Sequence, residues 1–372
     1  MTRTVWLGAD TLDYPEGGGH LWAYLNWALG FRSLGCKVVW LEPVEQAWTA
    51  DAVGQRLAGL RQRLHPYGLA DSIAVCPKES KPKPVPGAED SVHLDTARDA
   101  DLFLNLACHA FGNVLGHFRR TAVVDLDPGL LQMWVREGLL RLPSYDTYFT
   151  IADGMAGAPA RDGRLWTYTP PCVALDWWPT RPAPAGAWFT TVSTWSSPSY
   201  FSDGQEWHHD QKRDGFLPYV DLPRRTGQRI QLALCLAADE DEERMALEAR
   251  GWSVVDAFDV ASTPWTYQRY IQGSRGEFSC SKPSSVRFQK AWVSDRTLCY
   301  LASGKPCVVE DTGPSRFLPN GAGLFRFRTL DEAARALDTV AGDYERQCRL
   351  ARELPEGLFD AKKVLANVLA LA

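Results

Sequence analysis

Two doubly wound α/β domains are the fold class this sequence predicts. Short β-rich runs alternate with helical patterns through residues 4–152, a proline-dense break follows at 168–186, and the alternation restarts at 188. Strands alternating with helices imply parallel sheets, because a parallel pair needs a long crossover connection. At 372 residues the chain is also longer than one core usually grows.

In the first half, TVWLGA (4–9), KVVWLEP (37–43), DLFLNLA (101–107), TAVVDLD (121–127) and DTYFTIA (146–152) read as strands. LWAYLNWALGFRSLG (21–35) sets Leu21, Leu25, Ala28 and Leu29 at helical spacing, and Gly35 closes the helix. Residues 53–64 and 130–140 are further helical stretches, and CPKESKPKPVPGAEDSV (76–92) is expected as an exposed loop. The five prolines of YTPPCVALDWWPTRPAPAG (168–186) suggest a linker, giving domains 1–180 and 181–372. Beyond it, strands are expected at 188–194, 229–236, 252–257, 277–281 and 306–311, with helices at 239–250, 264–273 and 294–303. Residues 329–353 form a helical tail, and the C-terminal helix is free to pack back.

Composition narrows the function classes. A hydrophobic fraction of 45% and a charged fraction of 23% are ordinary for a globular enzyme. A net charge of −5 argues against broad capture of nucleic acid and leaves only a local basic patch as an alternative, so no nucleic-acid partner is expected. The nine cysteines include no CxxC pair and no metal-type spacing with histidine, and those at 108, 235, 299 and 307 read as reduced packing thiols. The N-terminus lacks a charged start followed by an apolar stretch, and no run reaches membrane-spanning length; a cytoplasmic protein without a membrane span is expected.

Open parallel sheets bind ligands outside the carboxyl ends of their strands, which directs attention to the loops there. The richest segment is EFSCSKPSSVRFQKAWVSDRTLCYLASGKPCVVEDTG (277–313), with Lys282, Arg287 and Arg296 close together. Ser294 suits a helix N-cap, which puts Arg296 in the first turn, where the helix dipole disfavours a cation. An anion sharing the site resolves that conflict; pairing with Asp295 or Glu310 is the plainer alternative. The strand then ends in Glu310, Asp311, Thr312 and Gly313, a set suited to sugar hydroxyls or to a simple polar turn.

Near the start, PEGGGHLWAYLNW (15–27) puts Gly17, Gly18, Gly19 and His20 between a strand and a helix. Dinucleotide binding is one reading, with Glu42 at the position of a ribose-binding acid. Against it, Trp22 stands where the third glycine of GxGxxG belongs, and the loop is long for a tight phosphate turn. In SPSYFSDGQEWHHDQKRDGF (197–216), His208, His209 and Asp210 raise a metal, but adjacent histidines point apart, and a mobile interdomain loop is expected instead. Most tryptophans read as core, with Trp22 and Trp195 as candidates for stacking on an acceptor or sugar.

The two Rossmann-like halves, the glycine-rich first loop and the unit WVSDRTLCYLASGKPCVVEDTG (292–313) resemble the GT-B glycosyltransferase superfamily, in its bacterial, nucleotide-sugar-dependent form. The likeness covers essentially the whole chain, and its clearest motif is the A-S-G-K-P turn. It lacks the H-C-G-W-N-S of one subfamily and the E-x7-E of many retaining members. The resemblance implies two domains facing an interdomain cleft, a nucleotide-diphosphate sugar as co-substrate on the C-terminal one and a small-molecule acceptor on the N-terminal one. It implies no metal or other cofactor. Ser294, Asp295, Arg296 and Thr297 would approach the pyrophosphate, and Asp311, Thr312 and Gly313 the sugar or phosphate, with Lys282 and Arg287 donor candidates by position. His20 matches the general base of inverting members, with Asp125 or Asp127 as its orienting carboxylate and His109 as the second candidate; a capping ring without chemistry is the alternative. Gly17, Gly18, Gly19 and Trp22 would wall the acceptor side. An epimerase or hydrolase of the same fold, or a non-catalytic sugar-nucleotide binding protein, are the other functions such a chain could serve.

Overall fold

The computed structural model describes residues 2–78, 84–160, 163–237 and 240–372. They fall into two compact units, one made of Met1–Asp127, Trp134–Ala174 and Ala361–Ala372, the other of Pro128–Met133 and Leu175–Asp360.

The first unit is built on seven parallel strands: β1 (Thr4–Gly8), β2 (Lys37–Val44), β3 (Ile73–Pro77), β4 (Leu102–Asn105), β5 (Thr121–Asp125), β6 (Thr147–Thr150) and β7 (Trp166–Tyr168). Their order across the sheet is β3-β2-β1-β4-β5-β6-β7. Winding reverses at β1, whose neighbours are β2 and β4. The crossovers include α1 (Gly18–Ser33) and α2 (Ala50–Leu64), and α3 (Leu130–Arg136) follows β5. One face of the sheet is filled by Trp6, Val39, Leu41, Phe103, Phe111 and Phe118, with Phe103 stacked on Phe118 at 4.4 Å. Full burial of each such side chain stabilises by roughly 1.5–3 kcal/mol.

The second unit repeats the plan with six parallel strands: β8 (Phe189–Thr194), β11 (Ile230–Cys235), β12 (Ser253–Asp256), β13 (Gly276–Ser279), β14 (Cys307–Glu310) and β15 (Leu324–Phe327). The order β12-β11-β8-β13-β14-β15 reverses at β8. A small antiparallel hairpin, β9 (Tyr200–Ser202) and β10 (Trp207–His209), follows β8. The helices are α4 (Lys212–Phe216), α5 (Asp241–Glu248), α6 (Ala257–Ala261), α7 (Pro264–Gly273), α8 (Pro283–Phe288), α9 (Asp295–Ala302), α10 (Leu330–Gly342) and α11 (Tyr344–Leu358). Phe278 and Phe327 stack at 5.4 Å near the centre of this core. The last helix, α12 (Ala361–Leu371), returns to the first unit. It covers α1, which explains why α1 is apolar on more than its sheet-facing side: Gly30 lies so close that a Cβ there would meet Leu365 at 2.6 Å.

Several expectations change. Residues 76–77 are not loop but the buried end of β3; of the rest of that loop, residues 79–83 lie outside the described residues. The segment 197–216, expected as a loop, holds β9, β10 and α4. The tail 329–353 is two helices broken at Asp343, whose backbone (φ −140°, ψ 46°) leaves the helical region. Among the described residues, no helix is long and apolar enough to cross a membrane.

Candidate active site

In both sheets a polar cluster lies at the carboxyl ends beside the reversal strand, where open parallel sheets bind ligands. The first unit's cluster centres on Asp10, two residues beyond the end of β1. His109, beyond the end of β4, brings Nε2 to 2.7 Å from Asp10 Oδ2. His20, in the first turn of α1, places Nε2 2.7 Å from the Asp10 carbonyl oxygen. Lys78, beyond β3, faces Glu45 at 2.6 Å, Asp13 at 3.5 Å and Asp10 at 3.8 Å. Half-exposed His109 is thus oriented by a carboxylate that is itself 11% exposed.

The expected pairing of His20 with Asp125 or Asp127 gives way to this one. Asp125 is fully buried at the end of β5, where its Oδ1 accepts the Asp127 N–H at 3.0 Å. Of the glycines, Gly17 caps α1 and packs under the Tyr14 ring, while Gly18 and Gly19 lie inside the helix. Trp22 is a core residue, edge-on to Tyr67 at 5.4 Å and fully buried, so it does not wall an acceptor. Trp195 is likewise core, packed on Phe216.

Glu42 is also spoken for. Its fully buried carboxylate accepts the Thr11 N–H (2.8 Å), the Leu12 N–H (3.3 Å), the Trp40 Nε1–H (2.6 Å) and the Thr11 hydroxyl. Burial raises its pKa to about 7, against the lowering effect of the Thr11 and Trp40 hydrogen bonds. A ribose has no place on it.

In the second unit, Ser294, Arg296, Thr297 and Glu310 come together in one cleft with Lys212, Ser281 and Trp292. Ser294 is the N-cap of α9, its hydroxyl accepting the Arg296 N–H at 3.2 Å. The anion beside Arg296 proves to be Glu277 of β13, at 2.8 Å; the guanidinium also donates to Val192 O at 3.0 Å and Ser279 Oγ at 2.5 Å. Arg296 is therefore paired with Glu277, rather than with Asp295 or Glu310. Although burial opposes its charge, Glu277 holds its pKa above the ordinary arginine value.

A second cation lining this cleft is Lys212, which the sequence does not single out. It is buried at the start of α4, and its ammonium donates to Cys280 O at 2.6 Å. Burial lowers its pKa to about 7, and Arg296 pushes the same way. Glu310 accepts the Ser281 N–H (2.8 Å) and the Tyr219 hydroxyl (2.9 Å).

Most of the remaining expected donor residues are held by partners within the chain. Asp311 binds Arg326 at 2.5 Å and Arg328 at 2.8 Å. The Thr312 hydroxyl donates to Trp292 O at 2.5 Å. Gly313, at φ +124°, lies against the backbone of Gln289, where a Cβ would come within 2.6 Å. Lys282 caps α8 through its backbone, and Arg287, 66% exposed, pairs with Asp203 at 3.1 Å. His208 contacts the same Asp203 at 3.2 Å, whereas Asp210 turns away to Ser284. Among the described residues, no three His, Cys, Asp or Glu side chains converge as a metal site would require.

No family model matches the chain, and no curated protein does. Solved structures do. An α-glucosyltransferase in complex with UDP-glucose and DNA containing an abasic site superposes with a TM-score of 0.64 at 11% identity, over 100% of this chain and 99% of that one. Sucrose-phosphate synthase from Thermosynechococcus elongatus gives 0.56 at 9% identity, covering 99% and 98%. HepE from Anabaena in complex with UDP gives 0.55 at 13%, covering both chains fully. The expectation of no nucleic-acid partner is corrected by these matches, since α-glucosyltransferase structures of this fold hold DNA. Net charge does not decide the point, because it averages over the whole surface, whereas nucleic acid is met by a local patch. With two Rossmann-like sheets in each case and nearly complete coverage in both directions, the chain has the GT-B fold of these glycosyltransferases.

Proposed function

We propose that the chain is a glycosyltransferase that moves a sugar from a nucleotide-diphosphate donor to the hydroxyl of a small-molecule acceptor. The observation that carries this reading is Lys212, an ammonium in a buried cleft beside the capped start of α9. Burial and Arg296 both disfavour its charge, and a bound anion reverses that balance. A diphosphate is such an anion, and Ser294, Arg296 and Thr297 at the start of α9 line the same cleft. Negative charge grows on the departing nucleoside diphosphate in the transition state, so a fixed ammonium and helix dipole lower the barrier.

The base in this reading is His109. Its imidazole, held by Asp10 at 2.7 Å, takes the acceptor proton as the oxygen attacks the anomeric carbon opposite the departing diphosphate, a single displacement that inverts the centre. His20 then serves to fix the Asp10 backbone. The nucleotide sugar is a co-substrate, and the reading calls on no metal. Thermal-shift titration with nucleoside diphosphates tests the donor site: a rise in Tm that Lys212→Met abolishes supports it, and no rise with any nucleotide sinks it. Acceptor-dependent nucleotide release then separates transfer from epimerisation and hydrolysis.

A further inference from the structure

We infer that Glu42 is a positioning residue for the Asp10–His109 pair, its carboxylate clamping the loop that carries Asp10. The inference rests on the proposed transfer reading for its catalytic consequence, although its structural part stands alone. The loop leaves β1 with Ala9 N–H bonded to Leu41 O at 2.9 Å. Two residues later the Thr11 N–H, the Leu12 N–H and the Thr11 hydroxyl all converge on Glu42. Asp10 is therefore pinned from both sides. Its side chain reaches His109 and its carbonyl reaches His20.

Only a carboxylate fits this role. Four donors meet two acceptor oxygens, and a glutamine would turn an NH₂ toward two of them, leaving buried donors opposed. The carboxylate is held by hydrogen bonds, and none of these partners among the described residues is a cation. The titratable groups around Glu42 are Asp10 beyond β1, Tyr24 on α1, Cys76 on β3 and, at longer range, Arg63 on α2. Burial places the Glu42 transition near pH 7, where protonation removes acceptor capacity from the clamp.

Amide NMR of the full chain tests the clamp without substrate. The Thr11 and Leu12 resonances should titrate together with a midpoint near 7, and the titration should vanish in Glu42→Gln. Turnover with a nucleotide sugar tests the consequence. Glu42→Gln should lower kcat about tenfold while KM for the donor stays within about twofold, equivalent to about 1.4 kcal/mol of transition-state stabilisation. Thr11→Val, which removes one donor and keeps the carboxylate, should fold and show a smaller loss in kcat. Thr11 and Leu12 amides that ignore both pH and the Glu42 substitution would overturn the clamp. Unchanged kcat in both variants would overturn its catalytic role. Absence of transfer in the wild type, with the amide titration intact, would instead remove the functional reading and leave the clamp standing.

Discussion

His109 Nε2 stands 2.7 Å from Asp10 Oδ2, joining the carboxyl ends of two adjacent parallel strands across 99 residues of sequence. A carboxylate in that place fixes both ring orientation and tautomer, which is what a general base needs. His109→Ala should lower kcat for transfer by roughly 10²–10⁴-fold with nucleotide binding unchanged. His20→Ala, which loses a bond to a backbone carbonyl and the ring contacts with Tyr14 and Tyr24, should cost less. Steady-state kinetics beside nucleotide titration decide it, and full turnover in His109→Ala places the base elsewhere.

Lys212 predicts a pH dependence of nucleotide binding. Its pKa in the free protein is lowered to about 7, and a bound diphosphate favours the charged form. Affinity for UDP should then fall as pH rises from about 7 to 9, by up to about tenfold per unit, and Lys212→Met should flatten the profile. For stability the sign is opposite. Between about 7 and the ordinary lysine value the unfolded chain holds the extra proton, so this residue makes the protein more stable as pH rises through that window. Calorimetric titration and urea melts at several pH values read the two effects.

The Glu277–Arg296 pair is buried, with side chains 0% and 12% exposed. Arg296→Met strands a carboxylate whose Oε2 already lacks a hydrogen-bond partner, and should cost about 3–5 kcal/mol in urea unfolding. The double variant Glu277→Gln with Arg296→Met should be milder than the single one. If the two substitutions simply add, the ion pair is not what holds these groups.

Gly30 is where α1 and α12 meet. A Cβ there would lie 2.6 Å from Leu365 Cδ1 and 2.7 Å from Ala361 Cβ. Gly30→Ala should therefore destabilise by about 1–3 kcal/mol despite the better helix propensity of alanine. A Tm equal to or above wild type would show that α12 yields freely.

Regular βα periodicity was the most legible feature of the chain. The runs at 4–9, 37–43, 188–194 and 229–236 match β1, β2, β8 and β11 to within a residue or two, because buried parallel strands are continuous apolar stretches. The strand at 73–77 hid beside a proline-rich segment, and β15, only four residues long, lay among polar turns. Within the site, the Ser294 cap could be read locally, since a cap is decided by a few neighbouring residues. The partner of Arg296 could not. Glu277 comes from the neighbouring strand, and only the sheet order brings it close. Asp10 and Lys212 were passed over for the same reason: each owes its role to a group 99 or 68 residues away.

The place of α12 has a consequence for biosynthesis. The ribosome must emit all of Leu175–Asp360 before the helix that shelters α1 exists. Until then the α1 flank of the first unit stays uncovered on the nascent chain, even if the rest of that unit has been made.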